Sequence, residues 1–230
     1  MRALILAGGF GSRLQSVVSE VPKPMAPVAG RPFLEHLLDH CLKFGYDEAL
    51  LSVGYKSELI ISHFGNNYKG LRLEYAVEKE ALGTGGAIRF ALDAVQSDSI
   101  WTILNGDTLF SCDLHLLKNF YNDKKADMAM ALRRMQHFDR YGLVCCNTEN
   151  RVTAFLEKQY ADDGLINAGI YMLPAGLIQQ KFNNYEKFSF EKDFMEKLVN
   201  DINIFGIELD GYFIDIGIPE DYQKANLDLN

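Results

Sequence analysis

The sequence predicts an α/β fold: a Rossmann-like, mixed but mainly parallel sheet sandwiched by helices, with antiparallel additions in the second half. Three observations carry this. Through the first 110 residues, apolar strand runs alternate with helix-period segments, the pattern of βαβ units around a buried sheet. The glycine-rich stretch from Gly8 and the run Asn105-Gly106-Asp107 each fall just after such a strand, where open α/β sheets place ligands. Beyond residue 110 the rhythm changes, and strand runs follow one another across short turns.

The elements are read in order. Arg2–Ala7 (RALILA) is a strand. A helix begins near Pro32, because Leu34, Leu37, Leu38, Cys41 and Leu42 repeat at helical spacing, and Gly45 stops it. His36 and His40 fall opposite the leucines; they read as a solvent-facing pair, not as metal ligands. EALLSV is the next strand, followed by a helix near Ser57–Phe64, the strand LRLEYAV, a helix opening at Gly83–Gly86, and the strand WTIL. In the second half ADMAMAL, GLVCC and RVTAFLEK read as strands, the last two joined by the turn-like Asn147–Asn150. NAGIYML is another strand, opened by Asn167-Ala168-Gly169, and a helix is expected around Phe190–Asn200. NIFGIEL, YFIDIG and a helix from Pro219 close the chain.

The 230 residues are 48% apolar and carry no Ser/Pro-rich linker or repeat, so one domain spanning 1–230 is expected. A net charge of −8 supplies no basic field for nucleic acid. No apolar run approaches the ~20 residues of a membrane span, and no secretory pattern opens the chain. Cys41, Cys112, Cys145 and Cys146 fit neither a disulfide framework nor a metal site. They read as reduced, mostly buried thiols in a cytoplasmic protein.

Three segments carry candidate chemistry. Gly8, Gly9 and Gly11, followed by Ser12 and Arg13, can bring backbone N–H groups close to phosphate oxygens, and Lys23 adds a second cation. The competing reading is a tight turn with one exposed arginine. A dinucleotide fingerprint is broken by Leu14, and no P-loop pattern occurs. Asp107 and Asp215 both follow strands; they either cap turns or form a carboxylate pair able to hold Mg²⁺ while leaving positions for phosphate oxygens. The segment Glu78–Ala87 is either a charged turn or a base pocket, with glycines for close approach and a helix whose first N–H groups are free. A carboxylate accepts hydrogen bonds only, so a base edge with two adjacent donors, as in guanine, would suit Glu78 better than that of uracil or thymine if Glu78 faces the base.

LAGGFGSRL (Leu6–Leu14) followed by VPKPMAPVAGRPFL (Val21–Leu34) resembles the signature of sugar-1-phosphate nucleotidyltransferases, with Ser12 where that family commonly has threonine. The resemblance implies the nucleotide-diphospho-sugar transferase fold, a nucleotide-binding half about 1–110 and a sugar-phosphate half about 111–230. It implies nucleotide contacts from Leu6, Ala7, Gly8, Gly9, Gly11, Ser12, Arg13, Glu78, Glu80, Gly83, Asn105 and Gly106, with Glu78 facing the base. Arg13 and Lys23 are the implied catalytic cations, and Asp107 and Asp215 the implied Mg²⁺ ligands. Tyr141, Gly142, Glu157, Lys158, Asn167 and Gly169 would line the sugar-phosphate site. Two departures stand out: Gln159 where proline often follows Glu-Lys, and Ile218 where threonine commonly caps the last helix.

Over Ser16–Leu38 the chain looks most like D-glycero-D-manno-heptose 1-phosphate guanylyltransferases. That likeness implies transfer of GMP from GTP to the heptose 1-phosphate, with release of pyrophosphate, to supply GDP-heptose for bacterial surface polysaccharide. GTP and the sugar phosphate are then the expected partners, with Mg²⁺ as cofactor and no nucleic acid or membrane; a homodimer is compatible with it. Rival readings are a mannose 1-phosphate guanylyltransferase, a short uridylyltransferase, a non-catalytic regulatory subunit, and a nicotinamide-dependent oxidoreductase. The regulatory subunit is disfavoured because Arg13, Lys23, Asp107 and Asp215 are all present.

Overall fold

The computed structural model describes residues 1–9, 14, 18, 20–95, 99–156, 158–182 and 187–230. Strands are β1 Arg2–Leu6, β2 Pro27–Val28, β3 Arg31–Pro32, β4 Glu48–Val53, β5 Asn67–Tyr68, β6 Leu71–Val77, β7 Ile100–Asn105, β8 Thr108–Phe110, β9 Met128–Phe138, β10 Leu143–Cys146, β11 Val152–Leu156, β12 Ala161–Pro174, β13 Ile204–Glu208 and β14 Phe213–Asp215. Helices are α1 Phe33–Lys43, α2 Ser57–Phe64, α3 Gly83–Asp93, α4 Leu114–Lys124, α5 Ala175–Lys181, α6 Glu196–Leu198 and α7 Pro219–Asp228. A 3₁₀ turn covers Lys23–Met25 and a π-helical turn Phe190–Met195.

The main sheet runs β11-β10-β12-β7-β1-β4-β6-β5, with β9 pairing β12 and β13. β7, β1, β4 and β6 are mutually parallel, whereas β12 runs antiparallel to β7, β9 and β10. This is the mixed, mainly parallel architecture expected. Successive residues of β1 point to opposite faces. Ala3 and Ile5 pack with α1 residues Leu34, Leu37, Leu38 and Cys41, while Leu4 packs with Ile88, Leu92, Phe190 and Phe194 on the other face. Burial on both faces explains why β1 and β4 read as continuous apolar runs rather than alternating ones.

The register then aligns the strand ends. Leu6 of β1 lies opposite Ser52 of β4 and Asn105 of β7, and Val53 of β4 opposite Val77 of β6. The segments that follow, Ala7–Gly9, Gly106-Asp107 and Glu78, therefore leave the same edge side by side. The small β8–β14 ladder brings in the far end of the chain: Asp215 is paired with Thr108, and the Ile216 N–H donates to the Asp107 carbonyl at 3.0 Å.

Three expectations are corrected. His36 and His40 do not face solvent; they are 7% and 6% exposed. The β2–β3 ribbon covers α1 on a second side, and the Val28 carbonyl lies 3.0 Å from His36 Nε2 while Arg31 Nη2 lies 3.0 Å from Nδ1. Arginine only donates, so Nδ1 accepts and Nε2–H donates to Val28. Burial lowers the pKa of His36 and takes His40 down to about 4, with His40 edge-on to Phe44. Second, Asn167-Ala168-Gly169 does not open a strand: β12 already begins at Ala161, and the motif sits at a register irregularity between Asn167 and Tyr171. Third, the helix expected around Phe190–Asn200 is present but ends at Leu198, and its first six residues form a π-helical turn that runs into the three-residue α6. Cys41 and Cys112 are buried, with burial pushing each thiol up to about 12, and all four cysteines are free. No helix among the described residues is long and apolar enough to cross a membrane.

Candidate active site

At the shared strand edge lies a cavity of about 290 Å³. Leu6, Gly8 and Gly9 from the end of β1 form one wall, with Glu78, Gly83 and Thr84 opposite. Asn105, Gly106, Asp107 and Lys23 complete it. Local chemistry explains the glycines. A Cβ on Gly106 would lie 2.3 Å from the Leu6 carbonyl oxygen, and one on Gly8 would lie 2.9 Å from Glu78 Oε1. Both loops can thus approach only without side chains.

Glu78 is half-buried, accepts from Ser52 Oγ at 2.8 Å, and has its pKa raised by burial, partly offset by Ser52 and the Leu82 N–H. Two of the first four amides of α3, expected to be free, are not. Gly85 N–H and Gly86 N–H both donate to the Phe188 carbonyl, at 3.0 and 3.3 Å. Gly83 and Gly85 are small for the same reason, since a Cβ would come within 2.6 Å of the Phe188 carbonyl oxygen and 2.2 Å of its ring. A tertiary contact from about 100 residues downstream consumes what helix geometry alone leaves open.

A second cavity, about 400 Å³, adjoins the first and shares Asn105 and Asp107 with it. Tyr141, Gly142, Lys158, Asn167, Gly169 and Asp215 line it, all from the expected sugar-phosphate and metal sets. Gly169 has φ +74°, and its N–H donates to Asn167 Oδ1 at 3.0 Å; a Cβ there would lie 2.8 Å from Asn105 Nδ2. The Asn-x-Gly run is therefore a bulge held by its own asparagine, pressed against the wall the two cavities share. Asn105 Oδ1 is buried there with no hydrogen-bond partner among the described residues.

Lys23 sits at the junction. Its Nζ is 2.7 Å from Asp107 Oδ2 and 3.8 Å from Asp215 Oδ1, so carboxylates from the two halves of the chain converge on one cation. The Asp215 pKa is raised, first by burial and then by the Asp107 charge, against the lowering pull of Lys23 and the Gly217 N–H. Such a pair gains from a further positive charge. No three His, Cys, Asp or Glu side chains cluster among the described residues. A donor set of two carboxylates suits a hard ion that takes its remaining ligands from phosphates and water.

Of the other expected site residues, Gly11, Ser12, Arg13 and Glu157 lie outside the described residues. Ala7 is buried behind the cavity wall, its N–H donating to Ser52 O at 2.7 Å, and Glu80 is exposed and outside both linings. Sequence reasoning missed Thr84, Thr108 and Glu191. Thr84 stood inside the quoted glycine segment; nothing local marks Glu191, which reaches the cavity only through the packing of Phe190 and Phe194.

A nucleotide-sized, glycine-walled cleft joined by a carboxylate pair to a polar second pocket defines a nucleotide-dependent transferase. The family model described as nucleotidyl transferase matches residues 2–230, and the chain belongs to that family. It is 46% identical over 229 residues to a D-glycero-alpha-D-manno-heptose 1-phosphate guanylyltransferase of Aneurinibacillus thermoaerophilus, covering 100% of this chain and 98% of that protein. The enzyme of the same name from Campylobacter jejuni is 43% identical, with 96% and 97% covered. The crystal structure of HddC from Yersinia pseudotuberculosis complexed with GMP-PN superposes at TM-score 0.86 with 34% identity, covering 100% of this chain and 99% of that one.

Proposed function

We propose that this chain transfers GMP from GTP to D-glycero-α-D-manno-heptose 1-phosphate, yielding GDP-heptose and pyrophosphate, for the surface glycans of a bacterium. The observation that carries the reading is the meeting of two cavities at Asp107, Asp215 and Lys23. Full-length identity with two heptose 1-phosphate guanylyltransferases supports the substrates. The reaction is placed in the cytoplasm, and residues 1–230 are taken as one catalytic domain.

The smaller cavity takes GTP, with Glu78 accepting from the guanine N1–H and 2-amino groups and Gly8 and Gly9 admitting the nucleotide close to the backbone. The larger cavity takes the sugar phosphate, with Lys158 on its phosphate and Tyr141, Asn167 and the Gly169 bulge around the sugar. An oxygen of the sugar phosphate, whose second pKa is near ~6, attacks the α-phosphorus and expels pyrophosphate in line. No protein nucleophile is required, so catalysis reduces to positioning and charge stabilisation. Lys23 supplies a standing positive charge at the junction, and Arg13 is assigned to the leaving pyrophosphate. Asp107 and Asp215 would hold Mg²⁺, which when bound neutralises phosphate charge.

The test is pyrophosphate release from GTP with purified heptose 1-phosphate, with and without Mg²⁺, and identification of the sugar nucleotide formed. GDP-heptose formed only with metal is expected. A preference for UTP, or no turnover with any sugar 1-phosphate, would overturn the assignment.

A further inference from the structure

Resting on the transfer just described, we propose that Glu191 determines acceptor specificity by taking a hydrogen bond from a hydroxyl of the sugar. Glu191 lies on the π-helical turn Phe190–Met195 and lines the larger cavity together with Tyr141, Asn167 and Lys158. Its Oε2 receives two hydroxyls, Thr84 Oγ at 2.6 Å and Ser189 Oγ at 2.9 Å. The direction of both bonds is fixed. Thr84 Oγ accepts the Phe190 N–H at 2.9 Å and Ser189 Oγ accepts the Lys192 N–H at 3.1 Å, so each hydroxyl proton is left for the carboxylate. Two donors on one oxygen hold the side chain in place, and Oε1 makes no protein hydrogen bond among the described residues.

An ionised carboxylate accepts hydrogen bonds and offers none. The phosphate end of the acceptor is anionic and brings no donor at neutral pH, so Glu191 repels that end. Sugar hydroxyls are the donors the acceptor does carry, and a bond to a charged group is the stronger kind. Glu191 thereby draws the sugar hydroxyls to its own oxygen, while the phosphate is left to the cations lining the same cavity, Lys158 and Lys192, beside the Asp107–Asp215 pair. The turn itself is anchored, since Phe190, Phe194 and Met195 are fully buried and Phe190 packs edge-on against Tyr171. Preorganisation of this kind spares the ordering cost of binding. Thr84, which also lines the nucleotide cavity, acts as the positioning residue.

Steady-state kinetics of Glu191→Gln against the parent enzyme tests this, with heptose 1-phosphate and a series of its monodeoxy analogues. The acceptor KM should rise about 10- to 100-fold, while the GTP KM stays within about twofold. One monodeoxy acceptor should be poor for the parent yet suffer no added loss in Glu191→Gln. An acceptor KM unchanged by the substitution, or a GTP KM that rises in step with it, would overturn the role. Should Glu191→Gln fail to fold by circular dichroism, the parent alone decides: no deoxygenation costing more than about tenfold removes the inference. A parent inactive on every sugar 1-phosphate defeats the functional reading instead, which keeps the two failures apart. Thr84→Ser, which keeps the hydroxyl, should match the parental acceptor KM where Thr84→Val raises it; equal values in the two would remove Thr84 from the clamp.

Discussion

Asp215 carries opposite consequences for stability and for catalysis. Burial and the neighbouring Asp107 raise its pKa, so the ionised form is disfavoured in the folded chain. Stability associated with this group is present at low pH and is lost as pH rises through its raised pKa. Asp215→Asn removes that buried charge, and its thermal midpoint at pH 7 should equal or exceed the parent's. Turnover should nevertheless fall by about 100-fold or more, because half of the carboxylate pair proposed to hold Mg²⁺ is gone. Calorimetry with a pyrophosphate-release assay measures both; a destabilised variant with normal turnover would contradict the account. Glu78 behaves similarly, with burial as the first cause of its raised pKa. On the proposed guanine contact only the ionised carboxylate accepts both donors. The GTP KM should therefore climb as pH falls through the raised value, earlier in an acid titration than for an exposed glutamate. Glu78→Gln should show a flat profile over that window and a shift of preference toward UTP.

At the scale of elements, α7 starts on Ile218, an extended residue that makes no side-chain cap bond, while Pro219 occupies its first turn with Glu220 and Asp221. The acidic first turn favours the positive end of the helix, and the missing hydroxyl leaves an N–H without its usual acceptor. Ile218→Thr should stabilise the protein by about 0.5–1 kcal/mol, seen as a higher urea midpoint with unchanged slope; no gain would mean the end is satisfied otherwise. Because Ile218 lines neither cavity, the same substitution should leave the GTP KM within about twofold. Element contacts also explain two readings that failed. α1 is amphipathic by its leucines, yet the β2–β3 ribbon and Phe44 enclose its other side, so two histidines that a helical wheel turns outward are buried. The Gly85 and Gly86 amides in the first turn of α3 are taken by the Phe188 carbonyl, from a segment with no signal in the glycine motif.

For the whole molecule, charge decides how substrates arrive. A chain of net charge −8 attracts polyphosphate only through local cations, amide-lined loops and metal. Chelation with EDTA should therefore weaken GTP binding measured by calorimetry and abolish turnover, with Mg²⁺ restoring both; GTP binding equally tight without metal would count against the carboxylate pair as its site. Weak Mg²⁺ binding in the absence of nucleotide is expected too, since no third acidic, His or Cys side chain joins the pair among the described residues.

Much of the fold and of this site was written locally. Strands buried on both faces must be largely apolar, so RALILA and EALLSV were legible as strands, and LRLEYAV was legible by its alternation of buried and exposed residues. Loops that touch neighbouring backbone must lack Cβ atoms, so Gly8 and Gly106 mark the cleft in the sequence itself. Asp107 and Lys23 were legible from charge at a strand end or beside the glycine loop, and Tyr141 only through the family resemblance. What one stretch of chain cannot encode is which distant groups meet it. The β8–β14 register alone sets Asp215 beside Asp107, and packing of the π-helical turn alone carries Glu191 to the larger cavity. The Phe188 carbonyl, not a ligand, takes the Gly85 and Gly86 amides of α3. Sequence by itself determined the strand ends and the chemical types available there. Tertiary structure decided which of those groups remain open to substrate, because desolvation and hydrogen-bond competition depend on everything packed around them.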